Sequence, residues 1–259
     1  MVMKHENKNR FLELDLIRGI CILLMILDHF VFFCLNIALQ FHRMNCYEVE
    51  FYYFLKNILT HDARKYLRYV VLMFFFIISG ICTQLSKNNL KRGIELAIFA
   101  ACITLISVVA SKLLKIEFII YFGVIHFYAI CVLTYYAIEK IKYAKVKNVA
   151  YVLIILISIG FSIFKPTLEN HNYLMFLGVP QQNYIANFDY FPIFPDIGIF
   201  VIGIYIGKLF YRRIAKTYQV LSNPFFYPLL IIGRKGLYFY AVHIPLILVI
   251  AYILNIVLL

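Results

Sequence analysis

Charge is scarce in this chain: only 15% of its 259 residues are charged, 63% are hydrophobic, and the mean hydropathy is +0.84. That shortage excludes a water-soluble domain, which needs far more charge to cover its surface. Acidic residues are the rarer sign, 13 against 25 Lys and Arg, for a net charge of +12. In a soluble protein such an excess would suggest nucleic acid, but here the basic residues gather in short connections between apolar runs. No hydrophilic segment interleaves a basic stripe with aromatics, so nucleic-acid binding is set aside and anionic lipid headgroups are the expected partners. No CxxC spacing occurs among Cys21, Cys34, Cys46, Cys82, Cys102 and Cys131, and five of these lie in apolar runs. They read as small packing residues, with no metal site or disulfide framework expected. A small-residue cleavage site is missing after the polar, basic first ten residues, so the apolar run that follows is expected to be a retained span and not a signal peptide.

What the chain has in quantity is long apolar runs. A bilayer crossing takes roughly 20 mostly apolar residues. Runs at 11–39, 67–85, 94–114, 118–138, 149–164, 191–211 and 236–259 meet or approach that length. The first is longer than a crossing requires and must tilt or extend beyond the hydrocarbon. Residues 40–65 hold Tyr47, Phe51, Tyr52, Tyr53 and Phe54, the aromatic content of an interfacial or re-entrant helix. A short run at 225–232, bounded by Pro224 and by Gly233, Arg234 and Lys235, reads as a half-helix or re-entrant piece. The expected fold is therefore all-α: one polytopic transmembrane bundle over 1–259, with about seven spans, short interfacial or re-entrant helices, and no room for a separate soluble domain.

Alternate connections should be basic if that span count is right. The N-terminus, Lys87 to Arg92, Lys140 to Lys147, and the stretch with Arg212, Arg213, Lys216, Arg234 and Lys235 all fall on one side. Lys115 and Glu117 make a short turn on the other side, which also receives Glu169 and Asp189. The orientation expected is N-terminus cytoplasmic and C-terminus outside, in the cell (inner) membrane. Arg43, Lys56, Arg64 and Lys65 break the pattern, which makes their connection either functionally basic or wrongly bounded.

An ionisable side chain inside hydrocarbon costs several kcal/mol, so each one in a span is a candidate for function. Asp28 and His29 lie about 16 Å beyond Arg18 along the first span, given a rise of 1.5 Å per residue. A carboxylate beside an imidazole is a proton-handling pair, or a structural link to another helix. His126 sits mid-span after Gly123, where a satisfied core histidine is the bland alternative. His243 precedes Pro245, which frees a carbonyl within one turn of its ring. Asp196, below Pro192 and Pro195, is either functional or a charge complementing a helix N-terminus. Arg18 and Arg68 lie near the interface, where snorkelling explains them, although a guanidinium there also suits phosphate; Asp15 stands one turn from Arg18.

The order of these motifs resembles the integral-membrane acyltransferases related to heparan-alpha-glucosaminide N-acetyltransferase, including short bacterial members. The resemblance covers nearly the whole chain. Its pieces are Glu13-Leu-Asp15-Leu-Ile-Arg18-Gly19, then Asp28-His29, Phe75-Phe-Ile-Ile-Ser79-Gly80 and Phe122-Gly-Val-Ile-His126-Phe. Asp189-Tyr-Phe-Pro, Pro195-Asp196-Ile-Gly198, Gly203-Ile-Tyr-Ile-Gly207-Lys208, Gly233-Arg234-Lys235 and His243-Ile-Pro245 follow. It implies transfer of an acetyl or other acyl group from cytosolic acyl-coenzyme A, acetyl-CoA by default, to an extracytoplasmic acceptor such as an amino sugar or other glycan. In the lysosomal relative the proposed catalytic His lies in the loop after the first span, where the nearest candidate here is His61. That relative has Asn where this chain has His29, and an acidic residue near the position of Arg68. The resulting assignment takes His29 or His61 as general base with Asp28 orienting or charging the imidazole. Arg68 and His126 are assigned to the thioester, Asp189 and Asp196 to the acceptor, and His243 to the polar core. Arg18, Arg234 and Lys235 are assigned to the phosphates of coenzyme A, and no metal is expected. A proton-coupled small-molecule transporter is the competing class, though no repeated half with matching broken helices is present; a scaffold subunit is a third. A homodimer is left open.

Overall fold

The computed structural model describes residues 11–40, 46–114, 119–167, 173–181, 189–211 and 223–258. Arg43, Lys115, Glu117, Glu169, Arg212, Arg213 and Lys216, used in the charge pattern above, lie outside the described residues. The described residues are all-helical. They form α1 (Leu12–Gln40), α2 (Cys46–Thr60), α3 (Asp62–Leu85), α4 (Asn89–Leu114), α5 (Val124–Glu139), α6 (Ala144–Phe164), α7 (Ile197–Ile206), α8 (Tyr227–Arg234) and α9 (Gly236–Leu258). Short 3-10 turns at Met175–Leu177 and Pro224–Phe226 and a π turn at Gly207–Tyr211 complete the order.

Several boundaries move from where hydropathy puts them, for local reasons. α3 and α4 begin about a turn before their apolar runs because polar residues start them: the Asn88 side chain accepts the Lys91 backbone N–H, and Asp62 lies in the first turn of α3. α5 and α7 begin later than expected, at Val124 and Ile197, because Gly123 and the pair Pro192 and Pro195 hold the preceding backbone out of the helix. The mixed connection after the first span contains α2, so most of it is helix.

Among the described residues, α3, α4 and α6 are long and apolar enough to cross a bilayer. Pro224–Arg234 and Gly236–Ile247 reach that standard only together, and they are bent by 85°, the broken geometry expected for the run at 225–232. α5 and the segment Ile197–Tyr211 are apolar but shorter.

The chain divides into two compact units, one of Met1–Phe75 with Ala215–Leu259 and one of Phe76–Ile214, the division falling inside α3. In the first, α1 packs on α2, α8 and α9. Leu12, Leu14, Cys21, Ile22, Leu230 and Ile247 are buried there. Close approach of α1 and α8 depends on two glycines: a Cβ on Gly19 would collide with the Leu229 carbonyl, and one on Gly233 with the Asp15 carbonyl. In the second, α4 packs on α5 and α6 on α7. Phe76, Phe127, Val132, Phe200 and Ile204 fill its core.

Candidate active site

Burying a histidine inside a greasy helix bundle requires that its ring nitrogens find partners. His243, on α9, is 3% exposed. Its Nδ1 lies 2.6 Å from the Tyr240 carbonyl oxygen, and its Nε2 lies 2.8 Å from Nδ1 of His29 on α1. The two ring planes are within 15° of each other with centroids 5.0 Å apart, so the N···N contact runs near the plane of both. Residues 214 positions apart in sequence are thus joined through imidazole alone.

Asp28 is engaged elsewhere. Arg64, in the first turn of α3, donates from Nε to Oδ1 at 2.6 Å and from its terminal nitrogen to Oδ2 at 3.0 Å, a two-bond fork. The same guanidinium donates to the Leu59 carbonyl at 2.7 Å, tying α2, α3 and α1 together. Asp28 is expected to orient or charge the His29 imidazole; the ring's hydrogen-bond partner is His243, and Asp28 reaches it through charge. In the sequence Arg64 stands out only as a breach of the charge pattern, yet a carboxylate deep in a span demands a cation, and that demand is its signal. Lys65, another of the four residues that break the pattern, pairs with Asp62 at 2.8 Å. Asp28, Arg68 and Arg64 are the charged groups whose field reaches the His29 ring. Arg68 is exposed and carries no hydrogen bond among the described residues.

His61 is exposed between α2 and α3, where its Nδ1 accepts the Ala63 backbone N–H. This is a helix-capping contact. At the other end of α1, Arg18 donates to Asp15 at 3.3 Å and to the Gly233 carbonyl at 3.1 Å, while Arg234 donates to the same Asp15 at 3.4 Å. Two half-buried guanidiniums share one carboxylate, with exposed Lys235 next in the chain. Such a group suits phosphate.

The remaining expected residues lie in the second unit. His126 is satisfied at both nitrogens: Nδ1 accepts the Gly123 N–H at 3.2 Å, and Nε2 therefore donates to the Thr104 hydroxyl at 3.0 Å, which passes its own proton to the Ile120 carbonyl at 2.9 Å. Asp189 accepts the Val124 N–H at 3.4 Å from a left-handed backbone position, φ +49°. Asp196 is the half-buried residue at the start of α7, and its side chain caps no backbone N–H. A further cluster is invisible in the sequence, where Lys147 counts only toward orientation and Lys208 only as part of a motif. Glu139, ending α5, accepts from Lys147 at 3.1 Å, Lys208 at 2.7 Å and the Tyr151 hydroxyl at 3.0 Å. Lys208 also lies 4.9 Å above the Tyr151 ring. The π turn that begins at Gly207 sets the direction of Lys208. Among the described residues no cluster of His, Cys, Asp or Glu has the makings of a metal site.

Residues 10–245 match the family model described as heparan-alpha-glucosaminide N-acetyltransferase, catalytic. No curated protein and no solved structure matches the chain.

Proposed function

The chain belongs to the heparan-alpha-glucosaminide N-acetyltransferase catalytic family, and from that premise we propose that it moves an acetyl or other acyl group from cytosolic acyl-coenzyme A to an acceptor across the membrane, an amino sugar or another glycan. Membership and apolar helices make it a membrane acetyltransferase. The donor, the acceptor, the direction and a count of about seven crossings, with α1, α5, α7 and the bent α8 and α9 joining the three long spans, are our reading.

One observation carries it: the imidazole of His29 is held at Nδ1 by His243 and has no hydrogen-bond partner at Nε2 among the described residues. Acyl transfer from a thioester asks the protein for a base on the acceptor, stabilisation of the charge that develops on the acyl oxygen, and alignment. His29 is our base. Arg68, whose charge acts on that ring, is our candidate for the developing negative charge. Arg18, Arg234 and Lys235 are our candidates for the phosphates of coenzyme A, on the strength of the cationic side chains gathered at Asp15.

The test is direct. Full-length protein purified in detergent is given radiolabelled acetyl-coenzyme A and glucosamine, and both labelled product and released thiol are measured. We expect transfer, with His29→Gln lowering turnover by about 10²- to 10⁴-fold, the range of general-base catalysis. A protein that neither binds acetyl-coenzyme A nor releases thiol from it would refute the proposal.

A further inference from the structure

The carbonyl oxygen of Tyr240 can only accept a hydrogen bond, so the His243 nitrogen 2.6 Å from it, Nδ1, carries the proton. A neutral His243 then has a bare lone pair on Nε2. The nitrogen 2.8 Å away, Nδ1 of His29, must donate to that lone pair. One backbone carbonyl thereby dictates, through two rings, which nitrogen of His29 is bare. It is Nε2.

We infer that His243 is a positioning residue, which locks His29 into the Nδ1–H tautomer so that Nε2 is the basic atom offered to the acceptor. This rests on the reading of His29 as general base and adds what makes it one. The logic is that of a nucleophile's histidine held by a buried carboxylate, where the wrong tautomer costs on the order of 10⁴ in turnover. Here an imidazole anchored to a helix carbonyl takes the place of the carboxylate, while the carboxylate nearest in sequence, Asp28, is held by Arg64. The pair also limits itself to one extra proton: charging both rings would put N–H groups on both facing nitrogens, 2.8 Å apart. The groups around the relay are Asp28 on α1 and Arg64 and Arg68 on α3.

In turnover, Nε2 of His29 takes the proton that the acceptor's nitrogen or oxygen releases as it bonds to the acyl carbon. The ring returns that proton to sulfur as the carbon–sulfur bond breaks. Throughout, Nδ1–H of His29 stays on His243.

The experiment uses the full chain, ring-¹⁵N-labelled at histidine, in detergent or nanodiscs, with His29 assigned by the signal that His29→Gln removes. Wild-type His29 should show a protonated Nδ1 and a bare Nε2. His243→Phe should release the ring to the other tautomer or a mixture and lower kcat for acetyl transfer by about 100-fold, within the span of general-base effects, with KM for both substrates nearly unchanged. His243→Gln, whose amide oxygen can accept from His29, should restore about a tenth or more of the lost turnover. Wild-type His29 protonated on Nε2 overturns this inference alone, and so does a His243→Phe protein that keeps both tautomer and turnover. His29→Gln at wild-type turnover overturns the assignment of the base and the inference with it.

Discussion

Asp28 and Arg64 are joined by two hydrogen bonds, 2.6 and 3.0 Å, across 36 residues of sequence. Both side chains are about four-fifths buried, and the guanidinium simultaneously closes the end of α2 through the Leu59 carbonyl. Breaking such a pair leaves a charge in a place that cannot solvate it. Asp28→Asn and Arg64→Gln should each destabilise the protein by about 2 kcal/mol, the scale of a charged hydrogen bond left unmade. The double substitution should cost less than the sum of the two. Thermal unfolding in detergent, arranged as a double-mutant cycle, measures the coupling.

How much of this can be read in the chain follows from what each residue contributes to hydropathy. Helices and membrane character are legible because each long run repeats the same apolar signal, and motif order alone indicates the family. His29 and His243 are each legible as costly polar residues, but their pairing is not, since a contact between residues 214 apart leaves no local trace. Asp28 beside His29 shows the limit of adjacency: neighbouring side chains on a helix point about 100° apart, so the carboxylate is hydrogen-bonded to Arg64 and acts on His29 through its charge. Lys147 shows why charge counting hides structure, for it is committed to Glu139, together with Lys208, while reading as an orientation signal.

Gly233 faces the backbone of α1, and a side chain there has no flexible neighbour to displace, only the Asp15 carbonyl. Gly233→Leu should force α1 and α8 apart at a cost of about 3 kcal/mol, the upper range for overpacking, and carry Arg234 away from Asp15. Loss of folded yield, followed by size-exclusion chromatography in detergent, checks this. Gly160, where a Cβ would meet nothing within 4 Å, supplies the control: Gly160→Ala should be tolerated.

His126 has neither nitrogen to spare for a substrate, because Gly123 and Thr104 occupy both. The network instead ties α4 to the segment before α5. His126→Ala should lower stability by about 1–3 kcal/mol, the cost of orphaning its partners, while activity per folded molecule falls less than about tenfold. A far larger loss of turnover at unchanged stability would restore the expected role at the thioester.

The Glu139 cluster bears on orientation. It brings together the end of α5, the start of α6 through Lys147, and the turn after α7 through Lys208. These three helix ends therefore share one side of the second unit, and exposed Lys140, Lys142 and Lys145 lie in the same connection. An excess of Lys and Arg marks the cytoplasmic face. Alkaline phosphatase fused after Lys142 should thus be inactive. Fusions after Val179, beyond α6, and after Leu259 should be active, because an odd number of crossings puts the C-terminus opposite the N-terminus. An inactive fusion after Leu259 with an active one after Val179 would mean that α8 and α9 turn back without crossing, leaving both termini on the cytoplasmic side; the relay of His29 and His243 would then need an acceptor that reaches it from within the bundle.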